Sequence, residues 1–258
     1  MTDARGSTVS DSFYTRLGDG FAPTGLGVSV WNPNAQMGVA LAGLAAHVLD
    51  TIPAPAAMSP ARLTIDILGA VPLAPLTPAV RIVREGKRMQ VLEVELSLGD
   101  RTWVRASALR VRTAPSPVAE PVPSHPFPDL SESVGITHDS NFATTVRIHG
   151  GFPDPGPGAW WVKPKVSVVS GCPLSALEGV AMVSDYGSGV GPLVSSKDWT
   201  YANVDVSIHL TRIPRGPWLL IDTRSESAGN GIGVVHSRLG DQDGMIGMAH
   251  QTVFLDRR

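Results

Sequence analysis

The stretch at residues 173–191, PLSALEGVAMVSDYGSGVG, decides the fold. It predicts a helix that is apolar on every face, and such a helix is buried rather than laid on a surface. Pro173 suits its first turn, and the glycine-rich segment 187–189 ends it. Asp185 therefore emerges at the end of a buried helix, where desolvation and the negative end of the helix dipole both disfavour its ionised form. An acid in that position indicates a function.

Composition bounds the class of protein. The 258 residues are 43% hydrophobic and 17% charged, as is usual for a globular protein. A net charge of −2 without a basic run gives no reason to expect nucleic acid or membrane as a partner. Cys172 is the only cysteine, which excludes an intrachain disulfide and fits a reducing compartment. Residues 1–12 are polar, and the longest apolar run is too short to span a bilayer. We expect a cytoplasmic protein.

The chain reads as two similar halves. Each predicts a helix followed by four antiparallel strands, with turn signals between them. LTIDIL at 63–68 aligns with VSIHLT at 206–211, and VRASALRV at 104–111 aligns with GMAHQTVF at 247–254. Between the halves, residues 114–135 carry six prolines and predict a linker. We therefore expect one domain at 1–113 and a second at 136–258, joined by this linker.

An apolar helix beside such strands stays dry all round only when the sheet wraps it. The pattern therefore predicts an α+β fold in which two antiparallel sheets each wrap around a long apolar helix. No cluster of His, Cys or carboxylate has the spacing of metal ligands, so we expect neither a metal nor a cofactor.

The sequence also carries a family resemblance. SDYGSGVG at 184–191, SSKDWTYANVDVSIHLTRIPRGPW at 195–218 and DGMIGMAHQTVFL at 243–255 resemble the second half of acyl-CoA thioesterase II-like proteins. PTGLGVSVWNPNAQMGVALAGLAAHVL at 23–49 is similar to their first half, and the nearest likeness is to actinobacterial thioesterase-like members. The resemblance implies a double hotdog fold and an acyl-CoA thioesterase-like hydrolase of lipid metabolism. Because hotdog units usually pair, it leaves a homo-oligomer open.

The resemblance also implies catalytic residues. The family site combines an Asp at the end of the second helix, a Thr or Ser on the following strand and a Gln on the last strand. Carried over, these positions are Asp185, Asn203 and Gln251. Ionised Asp185 would act as general base on a water that the two amides orient. Asn203 departs from the family hydroxyl, and an amide holds a water without relaying its proton.

Each of these residues has a plain structural alternative. Asp185 could cap the loop that follows it, and Asn203 could be a hydrogen-bonding residue at a strand end. Gln251 could face water, because alternation does not decide between it and His250. Even spacing predicts that Asp205 and His209 share the face of Asn203.

Further residues are expected to contact the substrate. The acyl chain should enter an apolar tunnel between helix and sheet, and the candidate substrate-binding residues are Tyr186, Gly187, Trp199, Tyr201, His209, Gln36, Met37 and Gly38. Related sequences carry a His-Gly pair after the Gln, where this chain has Met37 and Gly38. In the first half, Ala108 stands at the position of Gln251 and Asp66 at that of His209. We therefore expect one site per chain.

Three functions stay open at the level of sequence. The first is hydrolysis of an acyl thioester, carried by CoA or by acyl-carrier protein. The second is another hotdog reaction on a natural-product or polyketide intermediate, such as dehydration, hydration or chain release. The third is non-catalytic acyl binding. Fold alone does not choose among them.

Overall fold

The computed structural model describes residues 11–117, 127, 129, 130 and 136–258. The predicted linker at 114–135 thus lies largely outside the described residues. The strands of the first half are β1 (Ser12–Leu17), β2 (Gly20–Pro23), β3 (Met58–Ile67), β4 (Thr77–Glu85), β5 (Met89–Leu98) and β6 (Arg101–Arg112), with helix α1 (Gly38–Asp50) after β2. The second half contains β7 (Ile136–Asp139), β8 (Ala143–His149), β9 (Gly158–Pro164), β10 (Ser167–Val169), α2 (Ala176–Ser184), α3 (Gly187–Val190), β11 (Trp199–Asn203), β12 (Asp205–Leu210), β13 (Leu219–Ser227), β14 (Ile232–Asp241) and β15 (Gly244–Arg257).

Twelve of the described strands form one antiparallel sheet. Its order is β4-β5-β6-β3-β12-β15-β14-β13-β9-β8-β7, with β11 paired beside β15. The two halves meet where β3 pairs with β12, with Leu63 opposite Ile208. Both of these side chains are buried. The halves are therefore joined by backbone hydrogen bonds and by a shared core.

The two central helices belong to one hydrophobic core. All residues from 39 to 49 of α1 are buried, as are residues 177–184 of α2. Gly43 permits their close approach, because a Cβ there would lie 2.9 Å from Val168 and 3.1 Å from Met182. A polar pair also ties them together: His47 Nδ1 lies 2.6 Å from Glu178 Oε1, and both side chains are buried. Among the described residues, no helix has the length and apolarity to cross a membrane.

The helix predicted from Pro173 to the glycine-rich segment 187–189 is shorter than expected, because α2 ends at Ser184 and a separate turn follows it. Ser175 and Glu178 form a capping box, with reciprocal bonds of 3.2 Å and 2.7 Å, so α2 begins only at Ala176. At the other end, the N–H groups of Asp185 and Tyr186 bond to carbonyls three residues back rather than four. This tighter turn ends α2 and leaves a separate single turn, α3.

Candidate active site

Asp185 and Asn203 meet at the end of α2. Asn203 Nδ2 donates to Asp185 Oδ1 at 2.9 Å and to the Asp185 carbonyl at 3.1 Å. The other amide atom, Asn203 Oδ1, is buried without a hydrogen-bond partner among the described residues. It is thus an unused acceptor on the same amide that bonds to the carboxylate.

Gln251 is the third member of this group. It is 1% exposed, so it faces inward and His250 takes the other face of β15. Its Nε2 donates to the Asp185 carbonyl at 3.3 Å, and its Oε1 accepts from the Ser188 N–H at 3.0 Å. Gly187 makes room for it, because a Cβ there would lie 2.4 Å from Gln251 Oε1. The structure therefore brings the three residues together.

The start of α1 supplies the opposite wall. A Cβ on Gly38 would lie 2.6 Å and 2.9 Å from the two carboxylate oxygens of Asp185. Gly38 is the first residue of α1, where backbone N–H groups lack helical partners and the helix dipole is positive. The carboxylate thus lies between the negative end of α2 and the positive end of α1.

Burial controls the ionisation of Asp185. Desolvation raises the pKa of its carboxyl to about 6, although the hydrogen bond from Asn203 opposes the shift. Most of the population is then ionised at neutral pH, while the carboxylate stays basic enough to accept a proton. The pKa of the neighbouring Tyr186 is also raised, first by burial and then by the charge on Asp185.

One prediction about the strand after α3 is wrong. Asn203 pairs with Val253, whereas Ser207 pairs with His250, so the register shifts by one residue between them. Asp205 fills this irregularity by accepting from the Thr252 N–H at 2.6 Å. A bulge reverses the alternation of side chains along a strand.

The reversal separates His209 from the site. Val206 and Ile208 point into the core, while His209 is exposed on the outer face of the sheet. Asn203, before the shift, keeps its inward direction. His209 and Asp205 therefore do not share the face of Asn203.

Gln36 and Met37 have partners of their own. Gln36 Oε1 accepts from the Tyr14 hydroxyl at 2.8 Å, and its Nε2 donates to the carbonyls of Pro72 and Ala74 at 2.7 Å and 3.0 Å. Met37 is buried in the core at the N-cap of α1. Both residues fix the segment that carries Gly38 into place.

Two of the remaining candidates, Trp199 and Tyr201, line two neighbouring spaces. An outer cleft of about 760 Å³ is lined by Trp199, Leu193, Val194, Leu255, the segment 225–227 and two glycines. An inner pocket shares Leu193, Ser225 and Leu255 with it and reaches Ser188 and Tyr201. Ser188, whose N–H bonds to Gln251, thus shares the inner pocket with three residues that also line the outer cleft. Tyr186 packs against the core instead.

Sequence reasoning missed two aromatic residues and one leucine. Trp31 and Phe152 lie on loops from different halves, and their rings pack on each other at 4.9 Å and on Tyr201. Leu193 lines both the inner pocket and the outer cleft. The WNPN turn at 31–34 was a signal for a loop, but nothing local relates its tryptophan to residues 120 or more positions away.

The first half differs at the matching end of α1. Arg110 is buried and donates to the carbonyls of Leu49 and Ile52, each at 2.7 Å, and to Gln90 Oε1 at 3.1 Å. These bonds hold the end of α1 as Gln251 holds the end of α2. Desolvation lowers the pKa of Arg110, and Asp50 opposes that shift.

Comparison with known proteins assigns the class. Three solved structures share the fold. Acyl-CoA thioesterase II TesB2 from Mycobacterium marinum is 18% identical, with 87% of this chain and 90% of that chain covered and a TM-score of 0.65. A protein of unknown function with hot dog fold from Alicyclobacillus acidocaldarius (15% identity, 95% and 97% covered, TM-score 0.74) and the tesB protein of Mycobacterium avium subsp. paratuberculosis (16% identity, 94% and 96% covered, TM-score 0.65) are also similar. No curated protein sequence matches. The fold is therefore the hotdog fold of thioesterases.

Two family models match this chain. The model of the acyl-CoA thioesterase N-terminal domain matches residues 28–111, and that of the acyl-CoA thioesterase C-terminal domain matches residues 112–255. The chain belongs to the acyl-CoA thioesterase family, and it is a hydrolase of that class.

Proposed function

We propose that this protein hydrolyses an acyl thioester of CoA or acyl-carrier protein with a water activated by Asp185. The observation that carries the proposal is the hydrogen-bonded group of Asp185, Asn203 and Gln251 at the start of α1. A carboxylate with a pKa of about 6 suits a general base at neutral pH.

The proposed reaction proceeds in two steps. Asp185 takes a proton from water, and the oxygen of that water attacks the thioester carbonyl carbon. Asn203 Oδ1 accepts a hydrogen bond from the second O–H of the water and so orients it. The negative charge that develops on the carbonyl oxygen is stabilised by N–H groups of the first turn of α1, beginning at Gly38. The C–S bond then breaks, and the proton held by Asp185 passes to the leaving thiolate. The products are a carboxylic acid and a thiol.

Hydration and dehydration have less support. Those reactions in hotdog enzymes use an acid paired with a histidine, and the partners that Asp185 has among the described residues are the amides of Asn203 and Gln251. The buried pair of His47 and Glu178 joins the end of α1 to the start of α2, which is the opposite end of both helices.

We also propose one site per chain and the domain division at 1–113 and 136–258. Arg110 supports the single site, because its guanidinium occupies the end of α1 and is bonded into the protein.

The boundary between the two family matches falls near the proposed linker. Contacts of α1 with β3, β5 and β6, and of α2 with β12 and β13, support the proposal that each half of the sheet wraps its own helix. A cytoplasmic location remains part of the proposal.

Release of free thiol from acyl-CoAs of rising chain length tests the function. Asp185→Asn should lower the rate by about 10²–10⁴-fold, because it removes a general base. Asp19→Asn, at an exposed turn residue, is the matched control and should leave the rate unchanged. Equal rates in the two variants would contradict the mechanism. The absence of hydrolysis with every thioester in the unmodified protein would contradict the function.

A further inference from the structure

The hydroxyl of Tyr201 is buried and has no hydrogen-bond partner among the described residues. Tyr201 lies on β11 two residues before Asn203, so both side chains face inward and their Cα atoms are about 7 Å apart. Buried polar groups in proteins are normally paired, and an exception needs an explanation. The proposed catalytic mechanism does not use this hydroxyl.

Neighbouring rings hold Tyr201 in place. Its ring stacks on Phe152 with centroids 5.7 Å apart and an interplanar angle of 23°, and Trp31 packs on it at 6.0 Å. These ring contacts hold the Tyr201 side chain in its present orientation. Burial also raises the pKa of Tyr201, so the phenol stays protonated and can donate a hydrogen bond.

Tyr201 lines the inner pocket next to Gln251. The other walls are mainly apolar, including Val235, Val253 and Leu193, and the space is too narrow to hold a water molecule in this structure. A ligand that enters this pocket would supply the partner that the hydroxyl lacks, and Leu193, Ser225 and Leu255 line both the pocket and the outer cleft. Apolar walls suit a hydrocarbon chain better than the two amides of a pantetheine arm.

We propose that the site takes acyl thioesters whose chain carries an oxygen function, a hydroxyl or a keto group, a few carbons beyond the thioester carbonyl, and that Tyr201 hydrogen-bonds to that oxygen. Because Tyr201 lies two residues from Asn203 on β11, the recognised oxygen belongs to the acyl chain and is separate from the reacting carbonyl. This inference rests on the proposed function and narrows its substrate class.

Matched acyl-CoA pairs test the inference. Hexanoyl-, octanoyl- and decanoyl-CoA are compared with their 3-hydroxy, 3-oxo and 5-hydroxy counterparts in the unmodified protein and in Tyr201→Phe. A site built to hydrogen-bond a substrate group rejects the analogue that lacks it. We expect kcat/KM for at least one oxygenated chain to exceed that of the plain chain about tenfold or more. Tyr201→Phe should abolish this ratio by lowering kcat/KM for the oxygenated chain to the level of the plain chain.

Two results would overturn the inference: an unmodified protein that favours plain chains, or a preference that survives in Tyr201→Phe. Tyr201→Phe should fold as the unmodified protein does, because the substitution removes only an unpaired hydroxyl. Its thermal midpoint should equal or exceed that of the unmodified protein.

Binding of non-hydrolysable thioether analogues of the same chains separates this inference from the proposed function. If no thioester is hydrolysed but the oxygenated analogue binds more tightly, and Tyr201→Phe loses the difference, the inference stands and the hydrolase proposal fails. If plain thioesters are hydrolysed at the same rate as oxygenated ones, the hydrolase proposal stands and the inference about Tyr201 fails. Equal binding of oxygenated and plain analogues rejects the role of Tyr201.

Discussion

Gly38 and Asp185 touch across the boundary between the two helices. A Cβ on Gly38 would lie 2.6 Å from Asp185 Oδ2, closer than real Cβ atoms approach a neighbour. The proposed catalytic carboxylate of one half is therefore positioned by the first residue of the helix of the other half. This contact explains why a helix as apolar as α1 begins with glycine.

We predict that Gly38→Ala lowers kcat by about 10²-fold, because displacing a catalytic group by about 1 Å has that effect. Gly179→Ala is the control, since a Cβ at that helical position meets only ordinary contacts, the nearest at 3.7 Å. That variant should be more stable by about 0.5–1 kcal/mol with unchanged activity. Steady-state kinetics and urea unfolding of both variants check the prediction. Unchanged activity in Gly38→Ala would show that the contact does not position the carboxylate.

A second prediction concerns the buried pair of His47 and Glu178. Glu178→Ala leaves the imidazole of His47 without its partner in the core, which should cost about 1–3 kcal/mol of unfolding free energy in addition to the capping bond that Glu178 accepts from the Ser175 N–H. Ser175→Ala removes only the other half of the capping box and should cost about 1 kcal/mol. Urea unfolding measures both variants. If the two losses are equal, the pair with His47 does not stabilise the contact between the helices.

Asp241 gives a prediction for acid stability. Burial disfavours its ionised form, but the bidentate pair with Arg212, at 2.6 Å for each bond, and the N–H groups of Arg215 and Asp243 outweigh this effect. The net result holds the pKa of Asp241 below its ordinary value of 3.8. Its contribution to stability is therefore present above that value and is lost as the pH falls through the lower pKa of the folded state.

The corresponding variant is Arg212→Met. It should be less stable than the unmodified protein at pH 7, and the difference should shrink below pH 4 as Asp241 becomes protonated. Chemical unfolding across this range measures the difference. A stability difference that stays constant down to pH 2 would exclude the carboxylate as its source.

Local pattern predicted the elements better than the contacts between them. The apolar stretches gave both central helices. Asp185 drew attention because of its position at the end of a buried helix. Asn203 and Gln251 came from family resemblance, and the structure brings both beside Asp185.

The errors have a common physical origin. The bulge before β12 depends on Asp205 reaching the N–H of Thr252, a residue 47 positions away, so strand alternation carried His209 to the wrong face. Likewise, no local pattern relates Arg110 to the end of α1, although its side chain bonds to the Leu49 carbonyl. Contacts between distant segments leave no local pattern.

The pH dependence of kcat/KM tests the central claim most directly. With Asp185 as general base, activity should rise with pH along a limb centred near 6 and fall tenfold per unit below it. Asn203→Ala should move this limb to higher pH, because the lost hydrogen bond is the interaction that lowers the pKa of Asp185. A profile that is flat from pH 5 to 8 would contradict the assignment of Asp185 as the base.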